Sequence, residues 1–134
     1  MIVIDTHVLV WALDDDDRLG PKARVLIDQS ETALLSAISI WEIALLVKKS
    51  RLLLKNDLAD WVKQALALPS LVLAPLDPAI ALDSVTLPGE FHNDPADRII
   101  VATARHHDVP LLTIDRAILD YGRSGHVAVT DASL

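Results

Sequence analysis

Four carboxylates in this chain are candidates for chemistry: Asp5, Glu42, Asp97 and Asp115. Asp5 and Asp115 each end an apolar, strand-like run, whereas Glu42 and Asp97 lie among apolar residues at helical spacing. An isolated ionised carboxylate is costly to bury, and the sequence places few cations where they could compensate. A divalent metal ion is the simplest compensation, so the pattern indicates a metal-binding acidic cluster.

Each acid also has a simpler local explanation. Asp97 and Asp115 could each stabilise the N-terminus of a helix, and Glu42 could pair with Lys49. Asp5 would have a capping role only if the next residue began a helix. The metal-site hypothesis therefore depends on the four acids taken together.

Composition limits the possible chemistry. The chain has 134 residues, 51% of them hydrophobic, which is enough for one domain with a sizeable core. We therefore expect a single domain over residues 1–134. The chain contains no cysteine, which excludes disulfides, thiolate zinc sites and cysteine nucleophiles. Oxygen and imidazole remain as ligands, and they suit hard divalent cations.

Charge and hydropathy bear on location and partners. The N-terminal residues have no basic region or cleavage site, and no apolar run is long enough to span a bilayer, so we expect a cytoplasmic protein without a membrane partner. The formal net charge is −7. Because this field repels nucleic acid, any nucleic-acid chemistry would require local cations.

The element pattern predicts an α/β fold. Apolar runs predict strands at 2–5, 33–36, 71–76, 111–115 and 127–129, and helical patterns lie at 21–29, after an N-cap at Ser39, at 57–66, at 78–85 and after Asp94-Pro95. This alternation is typical of a parallel sheet covered by helices. In such sheets, ligands bind beyond the carboxyl ends of the strands. Asp5 and Asp115 would project from one edge if their strands are parallel neighbours.

Other titratable residues are assigned no part in the site. Asp131 also ends an apolar run, but it lies three residues from the C-terminus, where fraying is expected. The five histidines show no zinc-ligand spacing, and we expect them to have surface or helix-end roles: His7, His92, His106, His107 and His126.

Four short motifs together carry a family resemblance. They are Val3-Ile4-Asp5-Thr6, Ser39-Ile40-Trp41-Glu42-Ile43, His92-Asn93-Asp94-Pro95-Ala96-Asp97-Arg98 and Leu112-Thr113-Ile114-Asp115. In order and spacing over nearly the whole chain, they resemble the PIN-domain ribonucleases, and more closely the VapC-like toxins of bacterial toxin–antitoxin pairs. The chain departs from the family at Ala96, where a bulky aromatic residue is usual, and this affects local packing rather than the acids.

The resemblance implies a three-layer α/β/α domain with a short parallel sheet and an acidic site for Mg²⁺ or Mn²⁺. Asp5, Glu42, Asp97 and Asp115 match the family's four acidic positions. Asp94 matches a further acid of this toxin branch, as a possible additional ligand. The hydroxyl residues Thr6 and Thr113 match supporting positions that could orient ligands or water.

The implied activity is metal-assisted hydrolysis of RNA phosphodiesters, which leaves a 5′-phosphate and a 3′-hydroxyl. In this interpretation Asp5 and Asp97 are central ligands, Glu42 positions metal or the attacking water, and Asp115 completes the cluster. Four carboxylates would nearly neutralise two divalent ions before the phosphate enters.

The resemblance further implies a homodimer and a cognate antitoxin that covers the active site. Arg98, Arg116 and Lys49 are weak candidates for RNA contacts, and ordinary surface roles explain them equally well. The apolar residues Trp11, Trp41 and 52–54 could contact partners or could belong to the core.

Two alternatives remain to be compared. A haloacid-dehalogenase-type phosphatase also begins with a strand that ends in Asp, but it would need a second Asp two residues later, where this chain has His7. A non-catalytic PIN-fold module that binds RNA or protein is the second alternative. Retention of all four acids argues against it.

Overall fold

The computed structural model describes residues 1–134. The five strands are β1 (Ile2–Ile4), β2 (Ala33–Ser36), β3 (Leu71–Ala74), β4 (Leu111–Thr113) and β5 (Val129–Asp131). The seven helices are α1 (Thr6–Leu13), α2 (Pro21–Gln29), α3 (Ala37–Lys48), α4 (Leu58–Leu66), α5 (Pro78–Val85), α6 (Pro95–His107) and α7 (Arg116–Gly122). None of these helices has the length and apolar character needed to cross a bilayer.

The strands form one parallel sheet in the order β3-β2-β1-β4-β5. The chain moves from β1 to one side of the sheet and then returns to the other side, so strand order reverses between β1 and β4. These two strands pair directly, with Val3 opposite Leu111 and Ile4 opposite Leu112. The predicted α/β fold and the neighbouring placement of the two strands are confirmed. Their carboxyl ends therefore meet at the position where ligands bind in such sheets.

Helices cover both faces of the sheet. Successive residues of a strand point to opposite faces, and in β1 the side chains of Ile2 and Ile4 join one core cluster while Val3 joins the other. The first cluster includes Ile43 of α3, and the second includes Ile100 of α6. Two separate apolar cores on either side of a sheet make the three-layer α/β/α arrangement.

Several local predictions differ from the structure, and strands β3 and β4 each end two residues earlier than predicted, at Ala74 and Thr113. Helix α1 is absent from the prediction, because it is apolar nearly all round and buried, and such a helix shows little amphipathic periodicity. Helix α3 begins after an N-cap at Ser36, whose hydroxyl accepts from the backbone N–H of Ile38, and not after Ser39. Strand β5 begins at Val129, two residues later than predicted.

Candidate metal centre

The end of β1 places Asp5 at the bottom of the site. The Asp5 backbone N–H donates to Leu112 O of β4 at 3.0 Å. Its carboxylate accepts from the backbone N–H of Thr6 at 2.7 Å and from the hydroxyl of Thr113 at 2.6 Å. Asp5 is buried, with 5% of its surface exposed. Since a carboxylate offers about four lone-pair positions, these two bonds orient Asp5 and leave it acceptor capacity.

Helix α3 carries Glu42 toward the same region. The hydroxyl of Thr6, in the first turn of α1, lies 2.9 Å from that of Ser39 in α3, and this buried contact joins the two helices. Glu42 follows Ser39 by three residues, which is close to one helical turn, so both lie on one side of α3. Glu42 is half-buried and makes no ion pair with Lys49. The simpler explanation for Glu42 is therefore absent from the structure.

Two helix N-termini supply the remaining acids. Asp94 caps α6, with Oδ1 accepting from the Asp97 backbone N–H at 3.0 Å, and Pro95 occupies the first helical position. Asp115 caps α7 by accepting from the Ile118 backbone N–H at 3.1 Å. Both acids are N-caps, as the simpler explanation expected for Asp115, but a cap uses only part of a carboxylate's acceptor capacity.

These residues converge on one cavity of about 310 Å³, lined by Asp5, His7, Glu42, Asp94, Asp97, Ile114 and Asp115. Possible ligand atoms of Glu42, Asp94 and Asp97 lie within 4.8 Å of one another. A second such group contains Asp97, Asp115 and His92. Asp97 belongs to both groups and is therefore the centre of the arrangement.

Crowding of negative charge dominates the electrostatics of the cavity. Burial, with the charges of Asp5, Asp115, Asp94 and Glu42, raises the pKa of Asp97 to about 8. Burial is also the main cause that raises the pKa values of Asp5 and Glu42. None of the six ion pairs in the molecule joins a lysine or arginine to these carboxylates.

This arrangement fits a divalent cation. Carboxylate oxygens are the ligands that Mg²⁺ and Mn²⁺ prefer, and here they face one another without a lysine or arginine partner. Asp97 with Glu42 and Asp94, or with Asp115, could hold such an ion, and the oriented carboxylate of Asp5 lines the same cavity. The donor set and its unbalanced charge are the observations that favour metal binding.

The structure also locates the supporting residues. Thr113 donates to Asp5 and also accepts from the Asp115 backbone N–H at 3.0 Å, so one hydroxyl connects two acids. Thr6 connects Asp5 with α3 through Ser39. Asp131 does not line the cavity, and its carboxylate accepts from the backbone N–H and the hydroxyl of Ser133.

Among the cations predicted for RNA contacts, Arg98 has a different role. Its guanidinium donates to four backbone carbonyls, those of Ser84, Val85, Phe91 and His92, at 2.7–3.2 Å. Such saturation indicates a structural clamp. Arg116 and Lys49 are exposed and their contact with RNA stays a prediction.

Of the apolar residues predicted for partner contacts, one is buried in the core and others are exposed. Trp11 is a core residue, with 8% of its surface exposed. Trp41 and Leu53 are 54% and 93% exposed, so they remain available to a partner.

Two histidines belong to the site that sequence analysis did not assign to it. His92 Nε2 lies 3.1 Å from Asp97 Oδ2, and His7 lines the cavity. His92 is exposed and lies before the start of α6, as expected, but it also contacts the acidic cluster. One feature of the sequence could have indicated a site role for His92. It lies two residues before Asp94, the predicted start of a helix that brings acids to the site, so it lies near the same helix end.

The fold and the site define the class: an α/β protein with a parallel sheet, in which acidic side chains without a lysine or arginine partner gather at the topological switch point. A PIN domain model matches residues 2–124. Ribonuclease VapC22 of Mycobacterium tuberculosis is 32% identical over 128 residues, which cover 96% of this chain and 97% of that protein. The chain therefore belongs to the PIN-domain family, in its VapC-like branch, and the resemblance is confirmed.

Solved structures agree on the fold. The FitAcB structure from Neisseria gonorrhoeae matches with a TM-score of 0.64 and 26% identity, over 98% of both chains. The VapBC2 structure from Rickettsia felis, bound to a DNA fragment from its promoter, matches with a TM-score of 0.69 and 18% identity, over 97% of this chain and 98% of that chain. A toxin–antitoxin complex from Klebsiella pneumoniae matches with a TM-score of 0.66 and 22% identity, over 98% of both chains.

Proposed function

We propose that this protein is a metal-dependent endoribonuclease that hydrolyses RNA phosphodiesters with Mg²⁺ or Mn²⁺ and acts as the toxin of a toxin–antitoxin pair. The observation that carries the proposal is the convergence of five carboxylates in one cavity without a lysine or arginine partner. Family membership supports the same activity, since the VapC-like relative is named a ribonuclease. Retention of the complete acidic set favours catalysis over a binding module alone.

The surroundings of each acidic residue suit it to a particular role in the reaction. A divalent ion, when bound, supplies positive charge that attracts the RNA phosphate and acidifies water. Asp5 and Asp97 would be the central ligands of such an ion, and Asp115 and Asp94 would complete the set. Glu42 is half-buried and its pKa is raised by burial, so its carboxylate is suited to orient the attacking water and accept its proton.

Substrate binding depends on a small number of positive side chains. With a net charge of −7, the protein repels RNA until the acidic site is neutralised. Arg116 directly follows Asp115 at the N-terminus of α7, and its side chain is exposed. We place Arg116 nearest to the RNA phosphates and Lys49 farther away. From the family resemblance we expect water to displace the 3′-oxygen of the phosphodiester, which leaves a 5′-phosphate and a 3′-hydroxyl.

The test is RNA cleavage by the purified protein with Mg²⁺, with Mn²⁺ and with chelator. Asp5→Asn and Asp97→Asn should each reduce metal-dependent cleavage by at least about 100-fold, since even outer-shell residues of metal sites contribute about 10–100-fold. Asp131→Asn is the matched control, because it also ends a strand but lies outside the cavity.

Two outcomes would overturn this assignment. Unchanged cleavage in either site variant would reject the proposed centre. A wild-type protein that binds RNA but cleaves none with either metal would be a non-catalytic PIN module instead.

We infer that the chain also forms a homodimer and binds a cognate antitoxin protein. Structural neighbours of this fold include toxin–antitoxin complexes. The molecule exposes large apolar side chains, including Trp41, Leu53, Leu82 and Val85, and exposed apolar patches commonly mark protein interfaces. An antitoxin that presents a guanidinium to the acidic cavity could pair with its carboxylates in place of metal.

A further inference from the structure

His92 lies between two acids of the metal centre, and both of its ring nitrogens are engaged. Nδ1 accepts from the backbone N–H of Asp94 at 3.2 Å. Nε2 lies 3.1 Å from Oδ2 of Asp97. The imidazole thus connects the capping residue of α6 with the acid that belongs to both groups of possible ligands.

The first contact determines what the second can be. A backbone N–H can only donate, so Nδ1 must present its lone pair to Asp94. A neutral imidazole carries its proton on the other nitrogen, so Nε2 carries the proton and lies in close contact with Asp97. A metal would need the lone pair of Nε2, which this arrangement does not provide. His92 is therefore geometrically close to the ligand set without being suited to join it.

The surrounding loop holds the ring in place. Arg98 donates to the carbonyls of Phe91 and His92 at 2.9 and 3.1 Å, which fixes the backbone before α6. The Phe91 ring lies 4.3 Å from the His92 ring and 4.9 Å from the Tyr121 ring, measured between centroids. The Tyr121 hydroxyl in turn donates to Pro88 O at 2.6 Å. These contacts come from three separate elements, so the imidazole has a preset orientation.

We propose that His92 is a positioning residue that orients the Asp97 carboxylate for metal binding. This inference rests on the proposed function, because it assigns Asp97 as a metal ligand. The contact of Nε2 with Oδ2 at 3.1 Å restricts rotation of the carboxylate, which four neighbouring acids repel. Hydrogen-bond partners of ligands orient them in this way and tune their affinity.

The first test is the metal affinity of the full-length protein. Mn²⁺ binding is measured by electron paramagnetic resonance, and Mg²⁺ binding is measured by its competition with Mn²⁺. His92→Ala should weaken the binding of Mn²⁺ and of Mg²⁺ by about 10–100-fold. The factor should be similar for the two ions. His92→Gln should recover most of the affinity, because its amide N–H can still reach Asp97. His107→Ala is the control, since His107 is exposed at the far end of α6.

The pattern of loss separates positioning from ligation. Imidazole suits transition metals better than Mg²⁺, so a loss confined to Mn²⁺, with no recovery in His92→Gln, would make His92 a ligand and overturn the proposal. Full affinity for both ions in His92→Ala would also overturn it. Cleavage assays on the same variants should show the same order of loss and recovery.

A second readout needs neither metal nor activity. Long-range ¹H–¹⁵N spectra of the metal-free protein at pH 8 identify which nitrogen of His92 carries the proton. A proton on Nε2 alone is expected, and a proton on Nδ1, alone or with Nε2, would contradict the inference. If the wild type bound neither ion, the proposed function would fail while this spectrum still tested the His92 geometry.

Discussion

Asp97 is the residue at which the charges of the cavity converge. It shares one group of possible ligands with Glu42 and Asp94 and another with Asp115, and its side chain is only 15% exposed. Its raised pKa has a simple origin, since burial and four neighbouring acids all disfavour its ionised form. The same crowding that prepares the site for a cation makes the metal-free site repulsive.

Removing one of these charges should therefore stabilise the metal-free protein while it destroys activity. For Asp97→Asn in chelator, we expect a gain on the order of 1 kcal/mol after solvent screening, which corresponds to about 4 °C in Tm. Thermal unfolding followed by circular dichroism would measure it. Asp120→Asn, which removes an exposed charge outside the cavity, should leave Tm nearly unchanged. A lower Tm for Asp97→Asn would show that the carboxylate stabilises the fold.

The metal-free protein should become less stable as pH rises, because Asp97 is more easily protonated in the folded state than in the unfolded state. The pKa of Asp97 rises from 3.8 to about 8 on folding, so between these values the folded state binds more protons than the unfolded state. The free energy of unfolding then falls as pH rises through this window, and the loss is complete above about pH 8. Urea titrations in chelator at pH 6 and pH 8 would measure it.

Divalent ions should reverse this trend, because metal and protons compete for the same oxygens. We expect stabilisation by Mn²⁺ to be larger at pH 8 than at pH 6. The pH slope should become shallower in Asp97→Asn. An equal slope in the variant and the wild type would assign the pH dependence to other groups.

At the scale of elements, the site is assembled where three elements begin. Helices α1, α6 and α7 each start after an acid, Asp5, Asp94 and Asp115 respectively, and all three carboxylates accept from backbone N–H groups at those termini. Helix N-termini favour negative charge, which reduces the cost of placing these carboxylates together. The sheet supplies the order of the strand ends, and the helix N-termini supply electrostatic support.

Arg98 provides a test of how α6 and its preceding loop are held. In Arg98→Met, four carbonyls lose their donor, and we expect a loss of about 2 kcal/mol in the free energy of unfolding, mainly from the part-buried acceptors of Ser84 and Phe91. Arg98→Lys should recover little of it, because an ammonium cannot bond the four carbonyls in the planar geometry of a guanidinium. Chemical denaturation of both variants would measure the loss.

The matched control is Arg116→Gln, which removes an exposed cation at the start of α7. It should weaken RNA binding without changing stability. If Arg98→Lys instead kept full stability and activity, a charge contact with RNA would explain Arg98 better than the clamp.

At the scale of the whole molecule, exposed apolar side chains indicate where other protein chains could bind. Leu82 and Val85 of α5 are 72% and 76% exposed and lie three residues apart, on one face of the helix. Leu53, in the segment between α3 and α4, is 93% exposed. Large side chains exposed to this extent are suited to contacts between chains.

Acidic substitutions at these positions should distinguish the dimer interface from the antitoxin interface. We expect the wild type to have twice the chain mass of 14.6 kDa by light scattering, and Leu82→Glu with Val85→Glu to give monomers, because an apolar interface excludes unpaired carboxylates. Leu53→Glu should remain dimeric and bind the co-expressed antitoxin more weakly. A monomeric wild type would overturn the dimer, and dimers in all variants would place its interface elsewhere.

Much of this protein follows from local sequence patterns. The apolar strand runs, the Asp-Pro start of α6 and the acids at strand ends predict the parallel sheet and its functional edge, because these signals depend on neighbouring residues alone. The buried helix α1 gives no such signal, since burial on all sides removes the polar face that marks a helix boundary in sequence.

Contacts between residues distant in the chain depend on the tertiary structure. Thr113 bonds Asp5 across 108 positions, and Thr6 contacts Ser39 across 33. Trp11 is a core residue while Trp41 is exposed, although both occur in apolar helical segments. His92 and Arg98 stand in one short motif, yet the first contacts the acidic centre and the second clamps carbonyls. Side-chain partners of this kind are set by how the helices pack on the sheet, and packing brings together groups whose separation along the chain carries no information about their distance in space.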